Sequence, residues 1–343
     1  MTSLLESLLS FLTGDYWTIK FYEGTFTIPK TLKLKNDIKF SNVSLFSGGL
    51  DSLIGSLDLL KTNKHNYNLF VSHYDPQMGG PLRDQKLLVD YLKKKYTTFQ
   101  HFPSIKVTLE RSTLSKESTF RSRSILFVGI ALLVAKGHGV SNIIVPENGS
   151  VSLNFPLSSS RRSACSTRTT HPTVLQYIKK IWTFLGINAN ISNPYELMTK
   201  GEMVDGCKDY NTLKEVISLS NSCGKRGHRA HWDIKDASHC GVCMPCIYRR
   251  ASLLNIADKT TYGNDINNFI NFQTKKSQDV GACLEYLKSN LDNRVIKKEL
   301  LINGIRDLSI VDDYVNVVTK TRIELTRWFI SNGNSIIRKK GNI

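Results

Sequence analysis

The run Val43-Ser44-Leu45-Phe46-Ser47-Gly48-Gly49-Leu50-Asp51-Ser52 sets an apolar, β-prone segment directly before two glycines, and an amphipathic stretch follows at residues 53–60. That order predicts a buried strand, a tight turn and the first turn of a helix. Adjacent glycines let the backbone approach an anion and turn its N–H groups inward. The helix N-terminus adds a positive dipole end, and Ser47 and Ser52 add hydroxyl donors. Ser47, Gly48, Gly49, Leu50, Asp51 and Ser52 therefore form a candidate cradle for a pyrophosphate group. The spacing is not G-x-x-x-x-G-K-[ST], and no lysine follows the glycines, which excludes an ordinary P-loop nucleoside triphosphatase. The competing reading is a plain strand–turn–helix, because Ser-Gly-Gly is a common turn.

A second cluster lies far downstream, in Cys240-Gly-Val-Cys243-Met-Pro-Cys246 with Cys223 ahead of it. Thiols at C-x2-C-x2-C reach one ion from a tight turn, and a fourth ligand from a separate loop closes a tetrahedral site. The chain has 7 cysteines, and their crowding is metal-site usage rather than a disulfide framework. Four thiolates without an open position describe a structural zinc (Zn²⁺) site, with an iron–sulfur cluster as rival. His228, His231 and His239 compete with Cys223 for the fourth position. Cys165, Cys207 and Cys283 read as ordinary buried thiols.

The chain has 343 residues with 41% hydrophobic content, sufficient for a sizeable core and too much for a disordered chain. No run of about 18 apolar residues occurs, so no membrane span is expected. The apolar N-terminus contains Glu6 and lacks a basic start, so it reads as a short amphipathic helix rather than a signal peptide. A cytoplasmic location is consistent with these features. A net charge of +17 calls for an acidic partner such as nucleotide, nucleic acid or an acidic protein surface. Residues 148–195 contain no Asp or Glu but carry Arg161, Arg162, Arg168, Lys179 and Lys180. They form either a solvated basic face or a wall for an anionic substrate.

Strand and helix signals alternate. Residues 67–73 and 102–109 read as strands, 82–95 as a helix, 124–136 as a strongly apolar helix, and 140–146 as a further strand. Another helix is expected at 173–185. The pattern predicts an α/β fold with a doubly wound parallel sheet. In such sheets ligands sit at the carboxyl ends of strands, where the glycine turn, residues 73–77 and Glu147 all fall. The expected division is an N-terminal extension (1–41), the α/β domain (42–220), a metal-binding segment (221–257) and a C-terminal helical region (258–343). Residues 300–310 and 314–330 have helical spacing; core packing is the default for such stripes, against a lid, a homodimer surface or a docking bundle.

The hexapeptide Ser47 to Ser52 resembles the PP-loop of ATP pyrophosphatases. Downstream, Arg121-Ser-Arg123-Ser-Ile-Leu-Phe-Val, then Pro194…Lys200-Gly-Glu202, then Cys223…Cys240-x2-Cys243-x2-Cys246-Ile-Tyr-Arg249 occur in order. Together, over residues 42–257, they resemble the QueC-like 7-cyano-7-deazaguanine synthases. The resemblance implies a HUP-type fold, ATP and Mg²⁺, a zinc knuckle, and activation of 7-carboxy-7-deazaguanine as an acyl adenylate. In the family, ammonia then gives an amide and a second ATP dehydrates it to a nitrile. The segment at 148–172, the long gap between Cys223 and Cys240, and residues 258–343 depart from the biosynthetic enzymes. These traits resemble the branch found in anti-phage defence islands of the Qat and type IV CBASS kinds. That likeness implies transfer of the deazaguanine acid to an amine of a partner protein encoded nearby.

The chemistry assigns provisional roles to the residues. Attack of a carboxylate on an α-phosphate builds charge that N–H groups, cations and Mg²⁺ stabilise. Asp51 repels phosphate, so its useful roles are holding Mg²⁺ through water or tying the turn's own N–H groups. Arg123 and Lys200 are candidate cations at the adenylate, or else surface groups. Glu147 and Glu202 are candidate bases for the amine, or helix-end acids. His171, before Pro172, reads as a turn histidine. Asp51→Ala is expected to remove chemistry and leave the fold intact. A PP-loop enzyme that modifies tRNA is the runner-up, with the basic charge binding RNA; a silent scaffold is the third reading.

Overall fold

A computed structural model of the chain describes residues 1–25, 38–62, 65–76, 80–108, 123–157, 168, 170–268 and 277–343. Five strands form one sheet: β1 (Phe40–Leu45), β2 (Tyr67–Tyr74), β3 (Phe99–Lys106), β4 (Asn142–Ile144) and β5 (Asn190–Ser192). All pairings are parallel, and the order is β3-β2-β1-β4-β5. Val43 stands opposite Leu69 on one side and Ile143 on the other, and Ile143 faces Ile191. The chain thus winds outward from β1 through β2 to β3, then returns to β1's other flank for β4 and β5. That reversal opens a crevice between the carboxyl ends of β1 and β4, the place where such sheets bind ligands.

Helices cover both faces, as a parallel sheet of apolar strands requires. On one face lie α2 (Leu50–Thr62), α3 (Pro81–Lys95), α7 (Lys200–Asp205) and α8 (Tyr210–Val216), whose core includes Phe46, Leu53, Leu57, Leu88, Met203 and Leu213. The other face carries α1 (Thr2–Thr13), α4 (Arg123–Gly137) and α6 (Pro172–Phe184), joined through Leu8, Leu12, Val128, Val134, Leu175 and Ile178. The four-residue α5 (Gly149–Ser152) follows β4. Beyond the sheet come α9 (Met244–Ser252), α10 (Gln278–Lys288), α11 (Asn293–Ile302), α12 (Val311–Asn332) and α13 (Ser335–Gly341). Cys240, Cys243, Cys246, Leu284, Leu325, Trp328 and Phe329 share one core, so the cysteine segment and the last helices are packed together.

The expected α/β class and doubly wound parallel sheet are present. The strand expected at 102–109 instead begins at Phe99 and ends at Lys106. The helix expected at 300–310 ends at Ile302, where the chain turns through Asn303 and Gly304. The apolar stripe at 314–330 is the middle of α12, buried through Val315, Val318, Leu325 and Phe329. Among the described residues no helix is long and apolar enough to cross a membrane.

Candidate active site and metal centre

The turn after β1 is built as the sequence requires. Phe46 donates its N–H to the Val71 carbonyl at 2.8 Å, so the sheet holds the chain up to Ser47. Gly48 has φ 84, and a Cβ there would also press on Gln85 Cγ at 3.3 Å. A side chain would be strained by both. The Gly49 N–H donates to Ser47 Oγ at 3.2 Å, and Ser52 Oγ lies 3.1 Å from Ser47 Oγ. The Leu50 N–H donates to Ser222 Oγ at 3.3 Å, and Asn221 donates its N–H to the Gly48 carbonyl at 2.8 Å. The N–H groups at this helix start thus already point at oxygens, and a more basic anionic oxygen would bind them better.

Asp51, the second residue of α2, turns its carboxylate to Lys200 and Asn148 rather than to those N–H groups. It is 7% exposed, and Lys200, at the start of α7, is 5% exposed. Lys200 Nζ donates to Asp51 Oδ1, while Asn148 Nδ2 donates to Oδ2 at 2.6 Å. Burial alone would raise the Asp51 carboxyl. The Lys200 charge and hydrogen bond, with those of Asn148, outweigh it and hold the group below its ordinary value. Tying the turn's own N–H groups is therefore not what Asp51 does. It fastens the β4–α5 loop and α7 to α2.

Glu147 stands beside this pair. Burial and the adjacent Asp51 carboxylate push it up to about 8, with Lys200 opposing. Glu202, the other candidate base, is engaged elsewhere: it forms a capping box with Thr199 and an ion pair with Lys320 at 2.5 Å. The Glu324 carboxylate of α12 accepts from Thr199 Oγ1 and from the Gly201 N–H at 3.2 Å. A Cβ on Gly201 would lie 2.5 Å from Glu324 Oε1, so glycine is needed for this approach. The final helices thereby hold the N-terminus of α7, and with it Lys200.

Two cavities flank the turn. The smaller, ≈ 270 Å³, runs along the ends of β1, β2 and β4, with Val71, Phe127, Ile130 and Val145 in its walls. The larger, ≈ 770 Å³, contains Asp51, Lys200, Phe155, Ser222, Cys223 and Tyr248. Ser47, Ser52, Pro146 and Glu147 line both. The cavities meet at the turn.

Cys223, Cys240, Cys243 and Cys246 bring their sulfurs within 4.8 Å of one another, and three of them are buried. Among the described residues this is the one group placed to hold a metal. Cys240 donates its N–H to Cys223 Sγ at 3.3 Å and Cys243 to Cys240 Sγ at 3.2 Å, bonds that favour thiolate sulfur. The donor set fits a closed tetrahedral site for a thiophilic ion such as zinc. The histidine alternatives fall away. His239 Nε2 accepts from the Ser222 N–H at 3.3 Å and Nδ1 pairs with Ser238 Oγ at 2.9 Å, while His228 and His231 lie outside the group.

The remaining sequence candidates divide. Arg123 begins α4, but its side chain lies outside the described residues, as do Arg161, Arg162 and Cys165. Arg168 donates to the Phe11 carbonyl at 2.8 Å, and Lys179 and Lys180 are exposed on α6. None of these three lines either cavity, so this part of the acid-free stretch is not a pocket wall. His171 caps α6 by accepting from the Thr173 N–H, as a turn histidine should. Cys207 and Cys283 are buried apart from the metal group. Asn148, Ser222 and Glu324 were not singled out by the sequence. Asn148 follows the strand end that carries Glu147 and Ser222 precedes Cys223, which are usable signals; nothing local marks Glu324.

No protein-family model matches the chain, and neither does any curated protein.

Proposed function

We propose that the chain is an ATP-dependent, adenylating carbon–nitrogen ligase of the QueC-like PP-loop type, with a HUP-type domain. The observation that carries this reading is the glycine turn at the sheet's reversal point, where an apolar cavity and a larger one of mixed polar and apolar lining meet. ATP lies with its nucleoside in the smaller cavity and its pyrophosphate on the N–H groups of Gly49 and Leu50 and the hydroxyls of Ser47 and Ser52. Lys200, held by Asp51, is the cation beside the α-phosphate; Arg123 is a second candidate. Both Asp51 oxygens are engaged by protein donors, so Mg²⁺ would be held by the phosphates rather than by Asp51, and would supply charge neutralisation of the departing pyrophosphate. The larger cavity offers Phe155 and Tyr248, aromatic surface suited to a planar base such as 7-carboxy-7-deazaguanine. Zinc in the four-thiol site is structural.

The acceptor is an amine. An α-amino group has a pKa of ~8 against ~10.4 for lysine, so it is about a hundredfold more available at neutral pH. The N-terminus of a partner protein is the favoured acceptor, and ammonia, leading to the nitrile, is the alternative. Beside the basic charge, Cys223 on the cavity wall favours a tRNA-modifying sulfur enzyme, but its sulfur already belongs to the thiol group. The test is incubation with ATP, Mg²⁺ and 7-carboxy-7-deazaguanine. AMP and pyrophosphate are expected, with a mass gain on the terminal peptide of a co-encoded partner. ADP and phosphate as products would refute the reading, and free nitrile with unmodified partners would return the chain to the biosynthetic class.

A further inference from the structure

An acyl adenylate joins a nucleotide to an acyl group, so its reactive carbonyl must sit where the space for one meets the space for the other. Ser47, Ser52, Pro146 and Glu147 form that shared wall. Proline carries no proton, and a serine hydroxyl is no base without a partner to activate it. We propose that Glu147 is the catalytic base that removes the proton from the attacking amine, an inference that rests on the adenylation reading above. The amine lone pair attacks the carbonyl carbon and the C–N bond forms. The bond from that carbon to the phosphate oxygen breaks, AMP leaves with the electron pair, and the nitrogen's proton passes to the Glu147 carboxylate.

Other groups of the site are poorly placed for this. Asp51 is locked to Lys200 and Asn148. His73 and Asp75 line only the nucleotide-side cavity, and Cys223 and Tyr248 only the other. The Glu147 backbone is fixed by Asn193, which follows β5: Asn193 Nδ2 donates to the Glu147 carbonyl at 2.7 Å, and Oδ1 accepts its N–H at 3.3 Å. The charged groups facing Glu147 are Asp51 of α2 and Lys200 of α7, with His73 and Asp75 across the smaller cavity. Burial and Asp51 bring its carboxyl to about 8, near the operating pH, where a base is most effective.

The test uses the full-length, zinc-loaded protein and separates the half-reactions. Carboxylate-dependent exchange of pyrophosphate into ATP reports adenylation, and hydroxylamine, neutral through this range, reports capture of the adenylate. Glu147→Gln should keep exchange close to wild type and lose capture by about 10²-fold or more. Wild-type capture should rise with pH through about 8, and the Gln variant should be flat. Glu147→Asp should keep the pH dependence at a reduced rate. Exchange and capture falling together in Glu147→Gln, or capture unchanged, would overturn the assignment. A wild-type protein without any exchange would instead overturn the adenylation reading, and the base with it.

Discussion

The buried pair of Asp51 and Lys200 allows a stability prediction independent of any substrate. Each residue is under a tenth exposed, and Lys200 Nζ donates to Asp51. Removing one partner of such a pair leaves a desolvated charge and costs about 3–5 kcal/mol, whereas removing both is close to neutral. Lys200→Met should therefore destabilise the fold by ~3 kcal/mol or more, and Asp51→Asn by a similar amount. The double variant should be more stable than either single one, with a coupling of about 2 kcal/mol or more. Urea unfolding with zinc present, at constant m-value, measures all four corners of the cycle. The pH sign is fixed by Asp51. Its folded value lies below the ordinary 3.8, so its contribution is complete above that pH and is lost as pH falls through the folded value. In the sequence alone Asp51 reads as a residue whose loss spares the fold; the buried Lys200 partner makes that loss costly. Additive single-variant effects, or a Lys200→Met protein as stable as wild type, would refute the argument.

Four further outcomes follow from the same geometry. One zinc per chain is expected by metal analysis, and Cys243→Ser should give unfolded or insoluble protein, because closed thiolate sites contribute on the order of 10 kcal/mol. Glu147 rises from 4.5 to about 8 on folding, so the folded state holds its proton longer; wild type should lose stability relative to Glu147→Gln across that window as pH rises, in melts at several pH values. Gly201→Ala should displace the Glu324 carboxylate and cost about 1–3 kcal/mol through two lost charge-assisted hydrogen bonds, with pyrophosphate exchange impaired more than ATP binding. Ending the chain after Ala257 should leave insoluble protein, since Cys246 and Ile247 pack in one core with Leu325, Trp328 and Phe329.

Legible in the sequence is whatever repeats at short range. The strand, two glycines and amphipathic helix are local patterns, and they placed Ser47 to Ser52 at the sheet's crevice. C-x2-C-x2-C spacing is equally local, and the fourth thiol proved to be Cys223. Strand β5 leaves no periodic signal, because it is three residues long with a single buried apolar side chain, Ile191. Gly304 follows the Asn303 cap of α11, while the apolar spacing runs on past both. Lys200 was visible as a cation, but its partner was not. Asp51 and Lys200 lie 149 residues apart, Leu50 and Ser222 172 apart, and Gly201 and Glu324 123 apart. No period in a sequence encodes contacts of that kind.

Those long contacts also explain how an ion held by the four thiols would bear on the glycine turn, since Cys223 lines the larger cavity. Asn221 and Ser222 bond to Gly48 and Leu50, and the next residue is Cys223. The Cys223 N–H is held by Asn221 Oδ1 at 2.9 Å, and Asn221 Nδ2 donates to the Ser238 carbonyl at 3.1 Å, two residues before Cys240. A metal that fixes Cys223 against Cys240 therefore fixes the oxygen to which the Leu50 N–H points. From the opposite side, Glu324 fixes Thr199 and Gly201 around Lys200. The turn and Lys200 are thus each held by a segment that contributes nothing to the sheet. Preorganised donors stabilise transition-state charge because they need not be reoriented during the reaction. On this argument Ser222→Ala should leave zinc content unchanged and weaken pyrophosphate exchange, separating the clamp from the metal that anchors it.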